Sequence, residues 1–97
     1  MLEKQIEKTV CDYAKSKGLY CYKFTSPNHR AVPDRIFIVR MGHIFFIEFK
    51  RTGEKPTPPQ DREHYRLSSY GARVYWTDNI EQGIAIIDKE IADALAG

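Results

Sequence analysis

The stretch from Pro33 to Lys50, PDRIFIVRMGHIFFIEFK, constrains this chain more than any other. It reads as two strands joined by a tight turn at Met41-Gly42, where Gly42 can take a positive φ. Phe45, Phe46, Ile47 and Phe49 mark the second strand as buried, yet Glu48 and Lys50 interrupt it. Ionised side chains are almost never fully buried unless they are paired or bound to a metal. Upstream, Asp34 follows Pro33 just where the apolar run Ile36–Val39 begins. Two acids and an ammonium therefore meet at one end of a hairpin, and these are the parts needed to hold a divalent cation and activate a water. The plainer reading is an ion pair of Lys50 with Asp34 or Glu48, which would be near neutral for stability.

Register decides between them. Side chains alternate faces along a strand, so residues directly paired across a hairpin point the same way. A two-residue loop would pair Arg40 with His43 and set Asp34 opposite Phe49. Asp34 and Glu48 would then lie on opposite faces. A shared site requires a three-residue loop, a bulge near Gly42, or an Asp34 that precedes the regular pairing. Glu48 and Lys50, two apart, share a face in any register.

The flanking segments supply the rest of an α/β domain. Leu2, Ile6, Val10, Tyr13 and Ala14 recur at helical spacing over 2–17, and Gly18 stands where a C-cap would. Leu19–Thr25 alternates Tyr20, Tyr22 and Phe24 with Cys21 and Lys23, as a strand does. The polar stretch 26–32 is a loop carrying Asn28, His29 and Arg30. Arg51–Pro59 is a second loop, rich in proline. Thr57 suits an N-cap and Pro58 the first helical position, with Gln60 in the first turn. Ala72–Thr77 is a short strand with Val74 and Trp76 expected inward. Asp78 or Asn79 caps a last helix built on Ile80, Ile84, Ile87, Ile91 and Leu95. The order α-β-β-β-α-β-α implies a four-stranded mixed sheet with helices on both faces, its fourth strand parallel to the third.

Length and composition bound the reading. Ninety-seven residues, 42% of them hydrophobic, make a single domain (1–97) with one modest core, and a dimer would extend its buried surface. A net charge of +2 does not by itself imply nucleic acid. Cys11 and Cys21 lack metal-ligand spacing and fit a reduced, cytoplasmic chain. No apolar run resembles a signal peptide or reaches the ~20 residues of a membrane span. His29, His43 and His64 have no ligand spacing either, and His64 reads as an ordinary helix position.

Four pieces together carry a resemblance: Glu3-x-x-x-Glu7 in the first helix, Val32-Pro33-Asp34-Arg35, Phe46-Ile47-Glu48-Phe49-Lys50, and Pro56-Thr57-Pro58-Pro59-Gln60. In this order and spacing, covering residues 3–60, the chain resembles the PD-(D/E)xK nuclease superfamily. More narrowly, it resembles the compact virus-type replication-repair nuclease (VRR-NUC) domain of phages and bacteria. The resemblance implies a restriction-endonuclease-like three-layer fold and a metal-dependent endodeoxyribonuclease acting in a bacterial or phage-infected cell. Asp34, Glu48 and the carbonyl of Phe49 would hold Mg2+, with Mn2+ as substitute. Glu7, with Glu3 in reserve, would bind it through water or a second ion. Lys50 would orient or deprotonate the attacking water, and Gln60 would position that water or Lys50. Arg30, Arg51 and Lys55 are the foremost phosphate contacts, ahead of Lys23, Arg35 and Arg62.

Small members of the group resemble junction resolvases, which implies a homodimer cutting four-way (Holliday) junctions in DNA repair. The absence of a recognition helix or zinc finger points the same way, towards structure rather than sequence. Two rival readings are a DNA-binding module without catalysis and a sequence-specific restriction-type nuclease.

Overall fold

The computed structural model describes residues 1–97. The chain folds as α1 (Glu3–Ser16), β1 (Tyr20–Lys23), β2 (Arg35–Val39), β3 (His43–Phe49), α2 (Pro58–Ser69), β4 (Val74–Thr77) and α3 (Ile80–Ala96). The strands form one sheet in the order β1-β2-β3-β4. The first three run antiparallel, and β4 lies parallel to β3 after the crossover through α2. This is the expected mixed α/β architecture. No helix is long and apolar enough to cross a membrane.

Between β2 and β3 the chain takes the three-residue connection that a shared site requires. Val39 pairs with His43, and Arg40, Met41 and Gly42 span the gap. Met41 (φ 73°) and Gly42 (φ 80°) both adopt the left-handed conformation. Glycine does so freely, whereas the methionine Cβ crowds the following carbonyl oxygen there. Arg35 is opposite Ile47 and Ile36 opposite Phe46. One step beyond that ladder, Asp34 falls opposite Glu48, on the same face.

The other face holds the core. Phe37, Phe45, Ile47 and Phe49 project from the sheet onto Ile6, Val10 and Ala14 of α1 and Ile86 and Ile87 of α3, in one buried cluster. Full burial of a side chain of this size stabilises by about 1.5–3 kcal/mol, so this layer carries most of the fold's stability. The helices close tightly over it because Gly83 lacks a Cβ, which would otherwise stand 2.5 Å from Val10 Cγ2.

Two expectations about this layer are corrected. On β4 it is Tyr75 and Thr77 that turn to the core, while Val74 and Trp76 pair with Phe46 and Glu48. A four-residue strand shows too little alternation to fix its parity from sequence. On α3, Leu95 is exposed because it falls on the outward side of the last turn, where Ala94 faces the core, and the buried stripe runs through Gly83, Ile86, Ile87 and Glu90.

Candidate active site

Glu48 lies on β3 between Ile47 and Phe49 but points to the opposite face, where it is 2% exposed. Asp34, immediately before β2, accepts a hydrogen bond from the Phe49 backbone N–H at 2.8 Å through Oδ2. That bond ties the start of one strand to the end of its neighbour and holds the two acids at one end of the sheet. Lys50 Nζ is 3.7 Å from Glu48 Oε2, a loose pair, and its side chain is nearly buried. The backbone of Lys50 is fixed by donating to the Thr77 carbonyl at 2.9 Å. Asp34, Glu48 and Lys50 thus come together as the sequence pattern requires.

Helix α2 packs on this face beside β4 and over Glu48, leaving Tyr20, Tyr22 and Ile44 exposed. Thr57 caps it by accepting from the Gln60 N–H at 3.3 Å, and Gln60 Oε1 accepts from the Thr57 N–H at 2.9 Å. This reciprocal capping box fixes the Gln60 side chain. Its free Nε2 donates to Glu48 Oε2 at 3.2 Å. One turn further, His64 Nε2 faces Glu48 Oε1 at 3.8 Å. That histidine is a site residue sequence reasoning missed. The available signal was its position four residues after Gln60, which puts both on one helix face. The other two histidines lie elsewhere: His43 bonds Glu90 at the far end of β3, and His29 is in the exposed 26–32 loop.

The two acids of α1 part company. Glu7 Oε2 accepts from Arg35 Nε at 2.6 Å. Arg35 pairs with Ile47, so it faces α1 and the core, and it draws Glu7 to that side. Glu3, at the start of α1, is half-buried and faces the charges of Lys50 and Glu48. Burial raises its carboxyl, Lys50 lowers it, and Glu48, Glu7 and Glu54 raise it again. Asp34 is the most perturbed acid of the group. Burial pushes it up to about 7, against the Phe49 N–H, and Glu48, Glu3 and Glu7 add to the rise. Negative charge is crowded here beyond what Lys50 offsets.

No three acidic, histidine or cysteine side chains stand close enough together to cage an ion by themselves. The direct donor set is two carboxylates and backbone. Within it, Glu48 Oε1 is a buried oxygen without a hydrogen-bond partner. An unpaired carboxylate oxygen beside a second carboxylate pushed towards neutrality fits a hard divalent cation, which takes oxygen ligands and keeps several waters of its own.

The basic residues fall in two groups. Arg30 lines a cleft of about 300 Å³ with Asn28, His29, Arg62 and Arg66. Arg51 pairs with Glu54 at 2.8 Å and flanks Glu3 on the other side. Its loop is anchored by Asp78, which accepts from the Gly53 N–H at 3.0 Å, a bond that lowers the Asp78 carboxyl. Lys55 is exposed further along that loop.

No family model matches the sequence. The "Putative nuclease p44" of Acyrthosiphon pisum secondary endosymbiont phage 1 is 46% identical over 77 residues, spanning 79% of this chain and 83% of that protein. A solved structure titled "VRR_NUC domain" matches with a TM-score of 0.82 at 29% identity, over 89% of this chain and 94% of that one. Another, titled "VRR_NUC domain protein", matches with a TM-score of 0.80 over 95% and 89%; at 20% identity it speaks for the fold alone.

Proposed function

The chain belongs to the VRR-NUC family of nucleases, and from that premise we propose that it is a divalent-cation-dependent DNA endonuclease selective for branched structure. One observation carries the reading. Asp34 and Glu48 share a face at one end of the sheet, and Glu48 keeps a buried oxygen unpaired.

In this reading Asp34, Glu48 and the Phe49 carbonyl hold the cation, with Mg2+ as the natural ion and Mn2+ as substitute. A bound divalent ion polarises the phosphodiester and lowers the pKa of a coordinated water. The chain's own residues do the rest. Lys50, loosely paired with Glu48, orients or deprotonates the attacking water and offsets phosphate charge. Gln60 fixes the Glu48 carboxylate and, through it, the neighbouring Lys50. Of the helix acids, Glu3 stands ahead of Glu7 for an outer, water-mediated contact, because Arg35 already engages Glu7. Arg30, on the loop before β2, and Arg51 and Lys55, on the loop after β3, receive the phosphate backbone. A two-fold homodimer would present two such sites to symmetric strands of a four-way junction.

The test compares cleavage of labelled four-way junctions and linear duplex with Mg2+, with Mn2+ and with chelator. Asp34→Ala should lower cleavage by more than about 100-fold, beyond the loss of an outer hydrogen-bond partner. Sedimentation of the free protein reports the dimer. Equal cutting of both substrates would reject the junction preference, and undiminished cutting in chelator would reject the cation.

A further inference from the structure

Glu48 Oε1 and His64 Nε2 are the two buried side-chain polar atoms of this chain that lack a hydrogen-bond partner. They face each other at 3.8 Å, with the His64 side chain 12% and the Glu48 side chain 3% exposed. Buried polar side chains are ordinarily paired, and a histidine serving only as core would have found an acceptor. A direct bond needs about 2.9 Å, so these atoms stand about an ångström short of one. The other Glu48 oxygen is already held from the same helix, by Gln60 at 3.2 Å.

From this arrangement we propose that His64 is a positioning residue for Glu48. One turn of α2 supplies a donor to each carboxylate oxygen, Gln60 to Oε2 and His64 to Oε1. The His64 contact closes when the carboxylate takes up its cation. The gap at Oε1 lets the carboxylate turn, and closing it sets the edge that Glu48 presents to the ion. Ligand-orienting partners of this kind are the usual companions of metal-bound carboxylates. The inference rests on the reading of Asp34 and Glu48 as cation ligands given above.

The experiment titrates Mn2+ into the full chain and follows free Mn2+ by its electron paramagnetic resonance signal, with cleavage kinetics alongside. His64→Leu keeps the volume and removes the donor; it should weaken Mn2+ binding by about 10- to 100-fold, and His64→Gln should recover most of it. A loss of kcat at saturating Mn2+ should accompany the weaker binding. Wild-type affinity in a folded His64→Leu chain overturns the proposal. A second measurement needs no substitution: the imidazole nitrogens of 15N-labelled wild-type protein are followed as Mg2+ is added. His64 should shift while His29 and His43 stay in place, and an unmoved His64 at saturating Mg2+ also overturns it. If the wild-type chain binds neither ion, it is the reading of the site itself that falls.

Discussion

Two glutamates are buried at opposite ends of β3, and they are treated in opposite ways. Glu90 of α3, fully buried, accepts from His43 Nε2 at 2.7 Å, from Arg73 Nε at 2.7 Å and from the Tyr75 hydroxyl. Burial alone would raise its carboxyl, but these donors outweigh burial and hold it at about 2. Glu48 receives one amide bond and a loose ammonium, with one oxygen left unpaired. A buried charge kept for the fold acquires every partner it can. A buried carboxylate left short of partners, next to an acid forced towards neutrality, is what the proposed cation site would require. Burial is common to the two glutamates; what separates them is how completely their oxygens are satisfied.

Substitution at both glutamates breaks or sharpens the contrast. Glu48→Gln should abolish cleavage while leaving the melting temperature unchanged or raised, since it removes repulsion at a poorly paired site. Glu90→Ala should cost about 2 kcal/mol by stranding the half-exposed Arg73 and the His43 ring, with cleavage per folded molecule retained. Urea melts and a single-turnover assay on both variants decide it, and matching stability losses would erase the distinction.

The two ends should also answer pH with opposite sign. Asp34 titrates near 7 in the fold against 3.8 ordinarily. Between those values the folded chain keeps a proton that the unfolded chain has lost. Stability therefore falls as pH rises through that window. For the cation-free protein, Asp34→Asn should raise the melting temperature at pH 8 by a few degrees, on a scale where ~1 kcal/mol moves a domain of this size by about 4–8 °C. At pH 4 the same change should do nothing, and Mn2+ should no longer stabilise the variant. Glu90, held below its ordinary 4.5, contributes stability that is complete above that value and lost as pH falls towards 2. Melting curves across pH 3–8 separate the two acids.

Smaller effects follow from the scaffold. Thr57→Ala should cost about 1 kcal/mol through the lost cap and should also loosen Gln60, so its effect on cleavage should exceed its effect on stability. Met41→Gly should stabilise by about 0.5 kcal/mol, relieving an exposed left-handed residue, with no change in activity. Equilibrium denaturation resolves both, and a destabilised Met41→Gly would show that the side chain is held by something other than the turn.

Much of this was legible in the residues. The hairpin, the cap at Thr57 and a cap at Asp78 or Asn79 follow from alternation and turn chemistry, which are local, whereas Asp34 meets Glu48 only through the three-residue connection that a shared site required. What stayed hidden depends on which faces meet. Nothing near Glu7 in sequence announces Arg35, 28 positions away. Glu90 occupies an amphipathic helix at a position that pattern assigns to either side, and its donors come from β3 and β4. His64 looks like any polar helical residue until the sheet beneath it is seen to carry Glu48.

The three-residue connection between Val39 and His43 has a consequence for how this gene can vary. Its residues are solvent-facing and none is buried, so exchanges there that tolerate the left-handed backbone of Met41 and Gly42 should be almost silent. A one-codon insertion or deletion is another matter, because a chain that kept the three-residue turn would then slide β3 by one place against β2. Glu48 would then be carried to the greasy side of the sheet and Phe49 out to the acids. The connection at the far end of the hairpin is thereby a counting device, held more strictly in length than in spelling outside its left-handed pair.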